Sequence, residues 1–143
     1  SWFCSTSPNT AGAGALIDYQ GSLSVSLNDL RLMVTGGPAG QPGLFYYGST
    51  QINGGNGVPF GQGLRCVGGA GQPTFRVETP AFFTSNGNAN KLLDFNSGPM
   101  ASGPGMIEAG KVFNFQLWYR DPGGGPPGLN FNFSDAVQFT FCP

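Results

Sequence analysis

The residues that could carry out chemistry in this chain are few and widely spaced. The sequence contains no His, so it lacks the Ser–His and Cys–His pairs that activate a nucleophile. Its seven acidic residues occur singly, whereas glycoside hydrolysis requires two carboxyl groups that face each other across a cleft. Nothing in the sequence singles out two of them as a catalytic pair, and the choice of Asp94 with Glu108 would be arbitrary. We therefore predict a protein that is not an enzyme and that binds no cofactor or metal.

The three cysteines are the remaining reactive groups. Cys4 and Cys142 lie almost at the ends of the chain, and the first and last strands of an antiparallel sandwich are often neighbours. We therefore predict a disulfide between Cys4 and Cys142. Cys66 is then a free thiol, buried as a small hydrophobic residue. The spacing leaves the pairing of Cys4 with Cys66 open.

Four aromatic side chains suggest a platform on which sugar rings stack. Trp2, Tyr46, Tyr47 and Trp118 offer flat aromatic faces, and the Asn and Gln residues of the chain suit carbohydrate hydroxyl groups. Trp118 lies on the opposite face of its strand from Leu117, which favours an exposed ring. The alternative is that these rings are buried, as in a sandwich whose sheets are covered on both faces.

Arg120 and Asp135 flank the last predicted strands and are expected to form an ion pair across the hairpin. We interpret this pair as a structural link at a strand end, and a contact to a ligand is the alternative. Two further patterns are weak: an Asn-rich turn offers oxygen atoms to Ca²⁺ but has a single carboxylate, and Asn132 begins a glycosylation sequon. The residues of the turn are Asn86, Asn88, Asn90 and Asp94.

The elements that must position these residues are strands, of which the clearest lie between residues 111 and 142. Apolar residues alternate there with polar ones in three runs, and a period of two is typical of half-buried strands. We predict three antiparallel strands that place one aromatic face on a core. Their core-facing residues are Phe113, Phe115, Leu117 and Tyr119; Leu129, Phe131 and Phe133; and Val137, Phe139 and Phe141.

The rest of the chain repeats this pattern of short apolar runs broken by turn residues. Its 25 Gly and 12 Pro residues help to separate predicted strands about every 8–12 residues, as in sandwiches and jelly rolls. No segment combines a helical period with a cap. We predict one all-β domain over residues 1–143, an antiparallel β-sandwich or jelly-roll-like fold of about nine to eleven short strands.

Charge is scarce in this sequence. Charged residues make up 9% of the chain and the net charge is −1, whereas about 25% is usual in soluble domains. This composition argues against a nucleic acid partner and a polybasic membrane anchor. No apolar run approaches the roughly 20 residues of a membrane span. The chain begins at Ser1 without Met, which is typical of a processed, secreted product.

Six short phrases are distinctive as a combination. They are QPGLFYYG at residues 41–48, PFG at 59–61, RCVGG at 65–69, FQLWYRDP at 115–122, FSDA at 133–136 and FCP at 141–143. Together they resemble an uncharacterised all-β domain that recurs in secreted and cell-surface proteins of bacteria. The resemblance covers essentially the whole chain, and it implies an extracellular module with no established activity.

We predict an extracellular structural protein, a self-associating subunit of a surface assembly or filament. The terminal segments 2–4 and 136–142 carry no charge, and poorly guarded edge strands are suited to pairing with another subunit. The alternative to self-association is a monomer whose terminal strands pair only with each other. The alternative function is a carbohydrate-binding or adhesion module of the cell surface, with an extracellular polysaccharide as partner.

Overall fold

The computed structural model describes residues 1–69, 71–125 and 129–143, and these residues form an all-β fold. Its ten strands, β1 to β10, are Trp2–Phe3, Leu16–Gln20, Arg31–Thr35, Pro42–Gly48, Val58–Phe60, Gly63–Arg65, Thr74–Phe82, Ala89–Leu92, Val112–Arg120 and Phe131–Thr140. Short 3-10 helices, Ile52–Gly55, Gly98–Met100 and Gly103–Gly105, lie in the connections. The strands pair antiparallel, so the prediction of an antiparallel fold with nine to eleven short strands is confirmed.

The strands form two facing sheets and one additional hairpin. A five-stranded sheet has the order β1-β10-β9-β4-β7, and a three-stranded sheet has the order β2-β3-β8. The main core lies between the inner face of the five-stranded sheet and the three-stranded sheet. The hairpin of β5 and β6 packs on the outer face of the five-stranded sheet, where a second, smaller cluster forms. The five-stranded sheet is therefore partly covered on both faces.

The predicted alternation in β9 is confirmed. Phe113, Phe115, Leu117 and Tyr119 are at most 3% exposed, and all four belong to the main core. Phe115 stacks on the buried ring of Tyr47 with a centroid distance of 5.0 Å. Because successive side chains of a strand point to opposite faces, the residues between these four point to the outer face of the sheet.

Strand β10 differs from the prediction of two separate strands that share one face. The strand is continuous, and a bulge between Phe133 and Ala136 inserts one extra residue opposite β9. One extra residue moves all following side chains to the other face, because the side-chain period is two. Phe133 therefore lies in the outer cluster, whereas Val137 and Phe139 lie in the main core. The prediction of a single shared face is wrong.

Both ends of the chain pair with segments of the same chain. β1 lies antiparallel to β10, with Trp2 opposite Val137. Near the other end, the backbone N–H of Cys142 donates to the carbonyl of Leu23 at 3.0 Å. The terminal segments, from which self-association is predicted, thus have backbone partners within the chain.

The disulfide joins Cys4 to Cys66, and Cys142 is the free, exposed cysteine. The predicted Cys4–Cys142 bond and the free thiol at Cys66 are both wrong, although the terminal strands do pair. The register of β1 on β10 places Cys4 beside Asp135, and Cys142 lies about 23 Å further along the chain. Cys66 instead follows β6, so the bond ties the outer hairpin to the β1 edge. Gly57, at φ +73°, leaves room for the disulfide, because a Cβ at this position would crowd the Cys4 Sγ at 3.0 Å.

Candidate functional site on the outer face of the five-stranded sheet

The outer face of β9 is covered along only part of its length. Asn114 and Gln116 are fully buried beneath the β5–β6 hairpin and the loop that precedes it. Trp118 is 38% exposed, and Arg120 is also exposed. The cover therefore ends between Gln116 and Trp118, and the surface beyond it is open.

Gln116 fixes the hairpin to the sheet. Its Oε1 accepts hydrogen bonds from the Tyr46 hydroxyl at 2.7 Å and from the backbone N–H of Cys66 at 2.9 Å. Its Nε2 donates to the carbonyls of Leu64 at 2.9 Å and Ser134 at 2.6 Å. One buried side chain thus joins β4, the hairpin and the bulge of β10. These contacts hold the hairpin at the border of the open surface.

Two clefts meet at Trp118 on the open surface. They share Leu44, which lies directly opposite Trp118 on β4. The first cleft has a volume of about 200 Å³ and the second about 180 Å³. We call the two clefts together the Trp118 groove. Its lining includes Tyr46, Phe60, Arg65 and Arg76 in the first cleft, and Pro80 and Arg120 in the second.

Packed aromatic rings support the exposed ones in this groove. Phe60 of the hairpin is 49% exposed, and its ring lies 5.2 Å from that of Phe131 and 6.0 Å from that of Phe133. Phe131 in turn contacts the Trp118 indole edge to face, with centroids 6.0 Å apart. Phe60 and Trp118 therefore present aromatic surface from fixed positions. A concave apolar surface with a few polar groups is typical of a ligand site.

Two neighbouring tyrosines of β4 have raised pKa values. Burial raises the pKa of Tyr46 to about 12, and the charge of Arg65 opposes part of this shift. Burial also raises the pKa of Tyr47, whose hydroxyl donates to the carbonyl of Gly105 at 2.7 Å. Both phenols are therefore protonated at neutral pH. They act as hydrogen-bond donors in the folded protein and not as bases.

The four rings of the predicted stacking platform do not lie together. Trp118 and Tyr46 line the same cleft, although Tyr46 is only 7% exposed. Tyr47 is fully buried in the main core, because it follows Tyr46 on a strand and points to the opposite face. Trp2 is 52% exposed but lies on β1, where its Nε1 donates to the carbonyl of Ile17 at 2.7 Å. The prediction of one platform is therefore wrong for Tyr47 and Trp2.

Arg120 and Asp135 do not form the predicted ion pair. Arg120 lies opposite Phe131 and lines the second cleft. Asp135 lies in the bulge of β10, where its Oδ1 accepts a hydrogen bond from the backbone N–H of Ile17 at 2.7 Å. Burial raises the pKa of Asp135, and this hydrogen bond offsets part of the rise. Asp135 therefore links the five-stranded sheet to β2 of the other sheet.

The Asn-rich turn and the sequon take part in structural contacts. The Oδ1 of Asn90 accepts a hydrogen bond from Arg31 at 2.6 Å. The described residues contain no group of three or more His, Cys, Asp or Glu that could hold a metal ion. Asn132 is fully buried and donates to the carbonyl of Pro8 at 3.0 Å. Its amide is therefore inaccessible to a glycosylating enzyme in the folded chain.

Among the lining residues of the groove that were not predicted as site residues, three provide its second exposed ring and two of its charges: Phe60, Arg65 and Arg76. Phe60 and Arg65 belong to strands of only three residues, which are too short for an alternation to show that they cover another sheet. The outward position of Arg76 could have been predicted from the sequence. It alternates with Phe75 and Val77 on β7, and this pattern predicts that Arg76 points away from the main core.

Comparison with known proteins provides no relative from which a function follows. The chain matches no protein-family model, no curated protein and no solved structure, so the resemblance of the six phrases stays a prediction. No helix among residues 1–69, 71–125 and 129–143 is long and apolar enough to cross a membrane. The Cys4–Cys66 disulfide is compatible with a secreted protein. A function must therefore be argued from the groove itself.

Proposed function

We propose that the chain is an extracellular module that binds saccharides in the Trp118 groove. The exposed indole of Trp118, at the junction of two clefts, is the observation that carries the proposal. An indole offers a flat apolar surface and a polar edge, and the C–H face of a pyranose ring has the matching shape. The hydroxyl groups of the sugar then reach the polar side chains at the rim, such as Thr74 and Arg76.

The shape of the groove favours a linear saccharide over a compact molecule. The groove extends to both sides of Trp118, so a sugar ring stacked there has space for a neighbouring ring in each cleft. Trp118 and Leu44 lie on β9 and β4, which are interior strands of the five-stranded sheet. Interior strands are already ordered, so binding loses little conformational entropy in the protein.

Trp118→Ala is expected to lower the affinity for a bound polysaccharide at least about thirtyfold, because truncation of an aromatic anchor costs about 2 kcal/mol or more. The measurement is affinity electrophoresis of the purified protein through gels that contain single polysaccharides. Far-UV circular dichroism and the melting temperature should stay close to wild type, since the indole is partly exposed and lies outside the main core.

The matched control is Leu27→Ala, which removes a more exposed apolar side chain outside the groove. It should leave retention unchanged. Equal retention of Trp118→Ala and the wild type would refute the role of the groove. A wild-type protein that ignores a broad panel of neutral and acidic polysaccharides would refute the proposed function.

Self-association is a second proposal, supported by a different surface. Leu16 and Trp2, each more than half exposed, line a cleft of about 360 Å³ together with Met33. Exposed apolar surface of this kind is used in contacts between proteins. Strand addition is less favoured than predicted from the sequence, because the edge strand β7 carries the guarding residues Arg76 and Pro80.

Sedimentation velocity over a range of micromolar concentrations tests this second proposal. We expect a species larger than the 14.9 kDa chain. We expect Leu16→Glu to shift it towards the monomer, because the substitution places a further negative charge beside Asp18 and Asp135, which line the same cleft. Trp118→Ala should sediment like the wild type. A single species near 14.9 kDa at every concentration would exclude self-association.

A further inference from the structure

Three of the four arginines of the chain line the Trp118 groove. Arg65 and Arg76 lie in the first cleft, and Arg120 lies in the second. The fourth, Arg31, is on the three-stranded sheet and donates to Asn90 at 2.6 Å. Among the residues that the structure describes, no acidic one lines either cleft. The groove is therefore locally positive in a chain whose net charge is −1.

The guanidinium groups in the groove have no carboxylate partner among the described residues. Within the part of the chain that the structure describes, the only ion pair joins Lys111 to Glu108 at 3.4 Å. Arg76 and Arg120 are exposed, and Arg65 lies close enough to Tyr46 to influence the pKa of its phenol. An arginine that is not neutralised by the protein has its donors available to a ligand. Such donors match the two oxygens of a carboxylate or a sulfate.

We propose that the ligand of the Trp118 groove is an acidic saccharide, in which uronate carboxylates or sulfate groups lie on both sides of the stacked ring. The inference rests on the proposed function. It adds that Arg65 and Arg76 bind an anionic group in the first cleft and that Arg120 binds one in the second. Stacking of a sugar ring on Trp118 then sets the position of the saccharide, and the arginines favour acidic saccharides over neutral ones.

The distribution of charge favours a saccharide over a nucleic acid. Nucleic acid binding depends on a broad basic surface that neutralises many phosphates, and the chain has six basic residues against seven acidic ones. Of its two lysines, Lys111 is paired with Glu108, and Lys91 lines a different cleft together with Glu78. Arg76 also lines that cleft. Three of the six basic residues thus line the groove, where their charge acts over about 10 Å or less at physiological salt.

The test compares polymers that share a backbone and differ in charge. Polygalacturonate and its fully methyl-esterified form are one pair, and dextran sulfate and dextran are the other. We expect binding of at least one acidic polymer to exceed binding of its neutral counterpart at least about tenfold, because hydrogen bonds to charged groups are the stronger ones. The excess should fall steeply as sodium chloride is added.

Substitutions locate the effect. Arg76→Gln and Arg120→Gln should each weaken binding of the acidic polymer about tenfold, because glutamine is polar and unbranched but lacks the charge and the paired donors of arginine. Arg31→Gln, on the opposite sheet, is the matched control and should bind like the wild type. Arg76 and Arg120 are both exposed, so neither substitution should change the melting temperature appreciably.

The possible outcomes separate this inference from the proposed function. Equal binding of charged and neutral polymers that is lost in Trp118→Ala would overturn the inference and retain a saccharide module. Acidic binding that is indifferent to Arg76→Gln and Arg120→Gln would also overturn it. Failure to bind any polymer would overturn the proposed function as well. Equally tight binding of a single-stranded oligonucleotide would replace the saccharide with a nucleic acid.

Discussion

Replacement of both Cys4 and Cys66 by alanine is expected to lower the free energy of unfolding by about 4 kcal/mol. The bond closes a loop with a sequence separation of 62 residues, and in the chain-entropy model a cross-link over a loop of this length restricts the unfolded chain by that amount. It also ties the outer hairpin to β1, so the loss should loosen the hairpin. Urea denaturation followed by tryptophan fluorescence measures the difference.

Cys142→Ala is the matched control for this experiment. Cys142 is exposed and unbonded, so the substitution should change stability by less than about 0.5 kcal/mol. Peptide mapping without reduction should recover a peptide pair that joins Cys4 to Cys66. Recovery of a pair that contains Cys142 would contradict the structure. Equal destabilisation by Cys142→Ala and by the double replacement of Cys4 and Cys66 would also contradict it.

Gln116→Leu is expected to destabilise the protein by about 3 kcal/mol or more, since several buried groups lose their partners together. The amide of Gln116 bonds the backbone N–H of Cys66 and the carbonyls of Leu64 and Ser134. Leucine has a similar size but offers no donor or acceptor. Chemical denaturation gives the free energy of unfolding, and hydrogen exchange at the Cys66 amide should become faster.

Gln20→Leu provides the comparison, because Gln20 ends β2 at an exposed position. The same chemical change there should shift stability by no more than about 0.5 kcal/mol. If Gln116→Leu proves as stable as Gln20→Leu, the buried amide is not what attaches the hairpin to the sheet.

The fold could largely be predicted from the sequence, because the pattern that identifies each strand lies within that strand. Alternation in β9 identified the core face from Phe113 to Tyr119, and turn residues marked the ends of most strands. The bulge in β10 could not be predicted: the runs that end at Phe133 and begin at Val137 were interpreted as separate strands, whereas both belong to one continuous strand. A single extra residue reverses the faces of that strand, and nothing in its composition announces the reversal.

The candidate site was only partly predictable, because it is assembled from distant parts of the chain. Trp118 was identified because it lies on the opposite face of its strand from Leu117, and that prediction requires only the alternation within a single strand. The convergence of Arg65, Arg76 and Arg120 depends on the order of the strands in the sheet, which the sequence does not state. A net charge near zero therefore concealed a locally positive groove.

The adjacent positions Tyr46 and Tyr47 illustrate an error that the sequence itself could have prevented. Neighbouring residues on a strand face opposite sides, so both rings cannot contribute to one platform. The disulfide is a different case. Cys66 bonds Cys4 because the β5–β6 hairpin, which Cys66 follows, packs against the β1 edge. This contact cannot be predicted from the spacing of the cysteines.

The partial cover on β9 separates two kinds of evolutionary constraint along one strand. From Phe113 to Gln116, both faces are buried, so almost any substitution disturbs the packing or the hydrogen bonds that keep the protein folded. Beyond Gln116, Trp118 and Arg120 are exposed on the outer face while Leu117 and Tyr119 anchor the inner face. The exposed pair can change without loss of the scaffold, so descendants of this chain can vary the chemistry of the groove while they inherit the same fold.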